Sequence, residues 1–208
     1  MSARPMAASA LALASVLVLA AAAALVCPDR ACPPPAADLA GLSAFNGWRA
    51  SWLDHGFAAL TWFGSLYLLA PAALWLAWRD WNRTDRRHAA AFIPLALAGA
   101  SALAHVAKHL VDRPRPDLYP ALVAMPQDAS FPSAHAMQAT AFLAAWLLAA
   151  RRPFAAGAVV AATAAVLAVA LSRIYLQVHF PSDVAFGMVA AVLWVLACER
   201  ATRRNFRN

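Results

Sequence analysis

The sequence predicts an all-α fold: a polytopic membrane helical bundle of six transmembrane helices in a single domain, residues 1–208. Three observations carry that prediction. The hydrophobic fraction is 63% with only 13% charged residues and a mean hydropathy of +0.59, which leaves too little polar surface to cover a water-soluble globule. Six apolar stretches approach or reach the roughly 20 residues that a helix needs to cross a bilayer, and a helix satisfies its own backbone there. The basic residues concentrate on alternate connections between those stretches.

The first stretch, 6–26, has a short basic start and alanines before Cys27, as a signal peptide would. Its apolar run exceeds a signal peptide's apolar core, so a retained helix is expected. Val26 is too bulky to precede a lipidated cysteine. Cys27 and Cys32 follow in CPDRAC, a pair that could close a disulfide in an oxidising compartment, although two cysteines make no framework. Residues 38–52 read as a short helix lying along the membrane interface. The second span, 57–78, contains Pro71, and Trp48, Trp52, Trp62, Trp75, Trp78 and Trp81 cluster around its ends as an aromatic belt. The third span, 89–111, contains Pro94, tolerable where neighbouring helices re-satisfy the backbone. A proline-rich, acidic segment, 112–131, reads as an irregular loop. The spans 134–150, 153–171 and 181–198 are short, so their ends belong at or just inside the interface. Cys198 is expected to be an inert buried thiol.

Charge orients the bundle. One side holds Arg4, Arg79, Arg83, Arg86, Arg87, Arg151, Arg152, Arg200, Arg203, Arg204 and Arg207 against Asp80, Asp85 and Glu199, a net +8. The other side has six cations and seven carboxylates, a net −1. The first side is therefore expected to be cytoplasmic, with both termini, in a bacterial inner membrane. The overall +7 is mostly this topology signal; the basic C-terminal run suits anionic lipid, and no nucleic acid partner is implied. Lys108, the only lysine, falls on the outer side with Arg113, Arg115 and Arg173. The topology rule gives no reason for cations there, so they call for an anion.

Three constellations can answer it. Lys108 lies near a helix end, and Pro114 and Pro116 break the helix so that Arg115 can turn back toward it. An arginine fork with a lysine point charge suits phosphate oxygens. Phe131-Pro132-Ser133-Ala134-His135 opens the next helix, whose free N–H groups and positive dipole end form a ready anion site. Ser133 could donate its hydroxyl, or merely cap the helix; His135 sits in the first turn. In Ser172-Arg173-x5-His179-x3-Asp183, Asp183 is placed to accept one ring N–H of His179 and leave the other nitrogen nucleophilic. His105 and His109 read as packing or interfacial groups, and Asp112, Arg113 and Asp117 as loop-shaping. No cysteine or histidine spacing suggests zinc, and no oxygen-rich loop suggests calcium or magnesium.

Taken together, Lys108-x6-Arg115-Pro116, Pro132-Ser133-Ala134-His135 and Ser172-Arg173-x5-His179-x3-Asp183 resemble the three-part signature of the type 2 phosphatidic acid phosphatases. These lipid phosphate phosphatases share a core with vanadium haloperoxidases. The resemblance covers nearly the whole chain and departs at Ala134, where the family usually has glycine. It implies that His179 attacks phosphorus, Asp183 orients it and His135 protonates the leaving oxygen, while Lys108, Arg115, Ser133, Ala134 and Arg173 hold the phosphoryl oxygens. It implies no cofactor and no metal, and a site at the periplasmic end.

The expected activity is hydrolysis of a lipid phosphate or diphosphate drawn from surrounding membrane lipid, such as undecaprenyl diphosphate or phosphatidylglycerophosphate. Lipid A dephosphorylation and transfer of the phosphoryl group to an acceptor hydroxyl are the alternatives within the same site. A lipid-phosphate binding or transport protein is the non-enzyme alternative, disfavoured by the complete set of His135, His179 and Asp183. The loop 117–129 carries no readable motif for the tail or head group, and nothing in the sequence fixes the oligomeric state.

Overall fold

A computed structural model of the chain describes residues 3–83, 87–150 and 155–205. Among these, eight α-helices follow one another with no strand: α1 Ala3–Val26, α2 Ala36–Gly47, α3 Ser51–Leu60, α4 Leu66–Trp81, α5 Arg87–Val111, α6 Ala134–Leu148, α7 Ala156–Tyr175 and α8 Pro181–Asn205. Asp85, Arg86, Arg151, Arg152 and Arg207 of the charge pattern lie outside the described residues.

Four helical stretches are long and apolar enough to cross a membrane: Met6–Val26, Arg87–Val111, Ala156–Tyr175 and Pro181–Arg203. A fifth candidate is a pair, Ser51–Gly64 with Leu66–Trp81, bent by 41°. The stretch expected at 134–150 is α6, an apolar helix of 15 residues, about 22 Å long at 1.5 Å per residue. The six expected spans thus become four helices of spanning length, one bent pair and one short helix.

The bend replaces the straight second span read from the sequence. A 3-10 turn at Thr61–Gly64 follows α3, and Ser65 restarts the chain as the N-cap of α4, its hydroxyl accepting from the Tyr67 N–H at 3.2 Å. Gly64 makes this break possible. A Cβ there would lie 2.5 Å from Val169 Cγ1 and 3.0 Å from the His135 carbonyl, so only glycine lets the turn press against the start of α6.

Alanine governs the packing of the core. Ala73 of α4, Ala96 and Ala100 of α5, and Ala141 and Ala145 of α6 are buried with Phe92, Ile93 and Val195; small side chains let helix backbones approach where lipid supplies no hydrophobic drive. On the far side of α8, α1 packs Leu19, Ala22 and Val26 against Ala190, Ala191 and Phe131. The Ser15 hydroxyl donates to the Ala190 carbonyl at 2.8 Å. The outer surface exposes Leu13, Leu17, Leu110 and Val160 together with all six tryptophans named above, a lipid-facing inventory.

The segment expected as one interfacial helix over 38–52 is instead two helices, since α2 ends at Gly47 and α3 begins at Ser51. It covers the ends of α7 and α8. Leu42 is buried with Ile174, Phe180 and Val184, and Phe45, Leu53 and Phe57 pack on Tyr175 and Val178. Tyr175 reaches across to Asp54 with a 2.6 Å hydrogen bond. Cys27 and Cys32 are joined in a disulfide at this same end, and Cys198 is a buried free thiol.

α5 and α8 meet closely where Gly99 faces Trp194. A Cβ on Gly99 would fall 2.1 Å from Trp194 Cζ2, and that indole is held by its own bond to the Ala96 carbonyl at 3.1 Å. Gly99→Ala therefore forces the ring out and is expected to lower the thermal midpoint in detergent, by an overpacking cost of about 1–3 kcal/mol. Gly157→Ala, with nothing within 4 Å, serves as the control that leaves it unchanged; equal behaviour of the two variants refutes the tight seam.

Candidate active site

One end of the bundle gathers the C-termini of α5 and α7 and the N-termini of α6 and α8 around a cleft of about 200 Å³. Lys108, Arg115, Ala134, His135, Arg173 and His179 line it, so six of the eight site residues read from the sequence share one cavity. Asp183 lies directly behind His179. Ser133 does not line the cleft: it is the N-cap of α6, fully buried, with its N–H given to the Asp183 carbonyl at 3.1 Å and its hydroxyl without a hydrogen-bond partner.

The cations arrive from three directions. Lys108, in the last turn of α5, is 3% exposed; its ammonium donates to the Ala129 carbonyl and pairs with Asp128 Oδ2 at 3.2 Å. Pro114 and Pro116 end the helical path, and Arg115 folds back as expected. Its Nε donates to the Asp128 carbonyl at 2.8 Å, one terminal nitrogen to the Val178 carbonyl at 2.6 Å and the other to Asp128 Oδ1 at 2.6 Å. Arg173, near the end of α7, donates to Thr61 Oγ1 at 2.5 Å, while its Nε is buried without a partner. The bent α3–α4 segment thus contributes to the site: Thr61 holds Arg173, and Ser65, Leu66 and Tyr67 form one wall.

His179 lies in the short connection between α7 and α8, its own N–H and that of Val178 both bonded to the Arg173 carbonyl. The guanidinium of Arg115 stands 3.2 Å from Nε2. A guanidinium only donates, so Nε2 is the acceptor and Nδ1 carries the proton. Nδ1 faces Asp183 Oδ2 at 3.5 Å and Ser130 Oγ at 3.5 Å. This is the tautomer expected from the sequence, with the unprotonated nitrogen facing the cations.

The carboxylate of Asp183 is held on every side. Oδ1 accepts from Arg113 at 2.5 Å; Oδ2 accepts from the Phe180 N–H at 2.9 Å and from the Ser130 hydroxyl. Arg113, read from the sequence as loop-shaping, is fully buried. It bridges Asp183 to Asp38 of α2, 2.8 Å from its other terminal nitrogen, and lies over the Phe180 ring with its carbon 4.1 Å from the centroid. Asp38 also accepts from Ser182, through the backbone N–H at 2.8 Å and the hydroxyl at 2.6 Å.

Arg113, Asp38, Ser130 and Asp128 are the residues that sequence reasoning left out. Their signal was present: the outer side holds seven carboxylates for six cations, so each outer cation had an acceptor to find. His105, read as packing, does line the cleft, with Gln138 beside it. Among the described residues no three His, Cys, Asp or Glu side chains are arranged to hold a metal ion.

Two groups outside the helices have shifted proton affinities. Burial is the largest cause that pulls His179 well below its ordinary value, and Arg115, Arg173 and Lys108 push the same way. Burial alone would raise Asp128, but the Arg115 hydrogen bond and the Lys108 and Arg115 charges outweigh it and bring it down to about 2. The first stays neutral and the second stays charged at neutral pH.

Comparison with known proteins places this geometry in a family. A model of the PAP2 superfamily matches residues 89–207, which include every residue lining the cleft except Ser65, Leu66 and Tyr67. The decaprenylphosphoryl-5-phosphoribose phosphatase of Mycobacterium tuberculosis is 39% identical over 151 residues, covering 71% of this chain and 70% of that one. The crystal structure of a transmembrane PAP2-type phosphatidylglycerolphosphate phosphatase from Bacillus subtilis superposes with a TM-score of 0.77 at 24% identity, covering 93% of this chain and 96% of that one. Aquifex aeolicus LpxE superposes with a TM-score of 0.65 at 22% identity, over 78% and 95% respectively.

Two outcomes follow from the geometry. Arg113→Leu strands two buried carboxylates, and breaking a buried pair costs about 3–5 kcal/mol; the thermal midpoint in detergent should drop sharply, and an unchanged midpoint refutes the clamp. The ring nitrogens of His179, followed by 15N NMR in detergent, should keep the shifts of a neutral imidazole as pH falls through 6.5, the usual histidine value. A protonation midpoint at or above that value refutes the stated electrostatics.

Proposed function

The chain belongs to the PAP2 superfamily and is a phosphatase, and we propose that it hydrolyses a lipid phosphomonoester without a metal, through a phosphohistidine on His179. The single observation that carries this reading is the state of His179. Its proton is on Nδ1, toward Asp183, and its free Nε2 faces a cleft ringed by Lys108, Arg115 and Arg173.

In this reaction the lone pair of His179 Nε2 forms a bond to phosphorus as the ester P–O bond breaks. Lys108, Arg115 and Arg173, with the N–H groups that open α6 at Ala134, take the charge on the equatorial oxygens, which is the dominant demand of phosphoryl transfer. His135 gives its proton to the leaving oxygen; the bound dianion favours the imidazolium that this requires. Water then attacks the phosphohistidine, His135 takes a proton from it, and inorganic phosphate leaves. Asp183 stabilises the charge that His179 acquires on attack. Ser133 supports the helix start, its hydroxyl a further donor if the substrate draws it inward.

The membrane setting is read from charge and chemistry together. The side with net +8 is assigned to the cytoplasm with both termini, which puts the cleft on the periplasmic face of the inner membrane. The Cys27–Cys32 disulfide at the cleft's end of the bundle supports the oxidising side. The bent pair and α6 complete six crossings in this reading. The substrate class follows the M. tuberculosis relative: a prenyl lipid whose head group ends in a phosphomonoester, with diphosphates and glycerophospholipid phosphates as weaker candidates.

Phosphate release from purified protein, measured on decaprenylphosphoryl-5-phosphoribose, undecaprenyl diphosphate, phosphatidylglycerophosphate and lipid A, tests the reading. Activity should persist in EDTA, be inhibited competitively by vanadate, and fall at least 10³-fold in His179→Ala, the scale on which covalent catalytic groups act. Activity that disappears with chelator or survives His179→Ala would falsify the mechanism, and product formed only with an acceptor hydroxyl would make the enzyme a transferase.

A further inference from the structure

The cleft contains an anion of the chain's own. Asp128 comes from the loop between α5 and α6 and places Oδ1 2.6 Å from Arg115 and Oδ2 3.2 Å from Lys108, astride the two cations that the signature assigns to phosphate. The contacts resemble those that two oxygens of a phosphoryl group would make. Yet the side chain is 45% exposed while Lys108 and Arg115 are 3% and 8%, so the carboxylate stands at the mouth with its partners behind it.

The cations do not need the Asp128 side chain to keep their places. Arg115 is fixed by main-chain carbonyls, those of Asp128 and Val178, and the ammonium of Lys108 is fixed by the carbonyl of Ala129. The carboxylate occupies what these bonds leave over. Arg173, the third cation, holds to Thr61 instead.

We propose that Asp128 is a specificity-determining residue: an internal competitor that lets the cleft accept dianionic terminal phosphates and refuse the monoanionic phosphodiesters of bulk phospholipid. The inference rests on the phosphatase reading above and names how the same site selects its substrate. A cleft with three cations at a membrane surface meets phosphodiester head groups at far higher concentration than any terminal phosphate. With Asp128 in place, three positive charges and one negative leave a net +2. A phosphodiester that displaces the carboxylate exchanges one single charge for another and gains nothing. A dianion that displaces it gains a full unit of attraction, and meets the whole triad once Asp128 swings into solvent. Asp128 stays ionised through the whole range in which a phosphomonoester becomes dianionic, near pH 6, so the competitor is always present when the substrate is competent.

Asp128→Asn is nearly isosteric and removes the charge alone, and Asp128→Glu restores it. The full chain in dodecyl maltoside is titrated calorimetrically with inorganic phosphate, and turnover is measured in mixed micelles with and without phosphatidylglycerol. Asp128→Asn should bind phosphate about tenfold more tightly than wild type, about 1.4 kcal/mol, and phosphatidylglycerol should raise its KM while leaving that of wild type unchanged. Asp128→Glu should behave as wild type in both assays. Unchanged or weaker phosphate binding in Asp128→Asn makes the residue a clip for the cations and overturns the proposal, as does equal sensitivity of both proteins to phosphatidylglycerol. Asp128→Ser, with thermal midpoints for each variant, separates a charge effect from a damaged loop. Wild type that neither binds phosphate nor turns over indicts the phosphatase reading instead.

Discussion

The cleft end of this protein depends on one buried guanidinium. Arg113 has no exposed surface, and it joins Asp38 of α2 to Asp183 of α8 across the start of the α5–α6 loop. A lone buried charge is strongly disfavoured, and two carboxylates that close would repel; together they are tolerable because each end of the guanidinium fork satisfies one of them. The remaining lone pairs go to Ser130, Ser182 and the Phe180 N–H. One ion cluster therefore fixes α2, the loop and the head of the last helix relative to one another. Asp183, behind His179, is held by Arg113 from 70 residues away in sequence.

The rest of the bundle brings these ends together at close range. Alanine seams let α4, α5, α6 and α8 approach until the helix termini converge, and Gly64 allows the broken second segment to touch the start of α6. The break at Ser65 accompanies two contacts with the site: Thr61 meets Arg173, and Tyr67 stands at the cleft wall. Packing among the helices thus sets the width of a polar site at their ends.

Much of this could be read from the residues. The apolar runs gave the helices, and the charge asymmetry exposed Lys108, Arg115 and Arg173 as cations without a topological purpose. Spacing within the motifs brings His135, His179 and Asp183 to one end of the bundle because each lies within a turn of a helix boundary, where local rules apply. Long-range pairings were hidden. Nothing local to Arg113 says that its partner is Asp38, 75 residues away, and periodicity cannot register a bend that one glycine permits. Ser133 marks the same limit from the other side: it begins α6 as read, yet its hydroxyl is buried without a partner and does not line the cleft.

A site for anions in a membrane faces a problem that soluble phosphatases escape, because its solvent is itself made of phosphates. Strong attraction alone would fill the cleft with the commonest lipid, so selectivity has to come from the charge a ligand brings and from what it must displace. In the resting protein each ligand group already has an acceptor: Lys108 and Arg115 hold Asp128 and main-chain carbonyls, Arg115 also caps the free nitrogen of His179, and Arg173 holds Thr61. A ligand gains only the difference between what it offers and what it replaces. In the proposed reaction the difference is largest for a terminal dianion, which would draw Arg115 off Nε2 of His179. Binding of the right charge and exposure of the proposed attacking nitrogen would then be a single event.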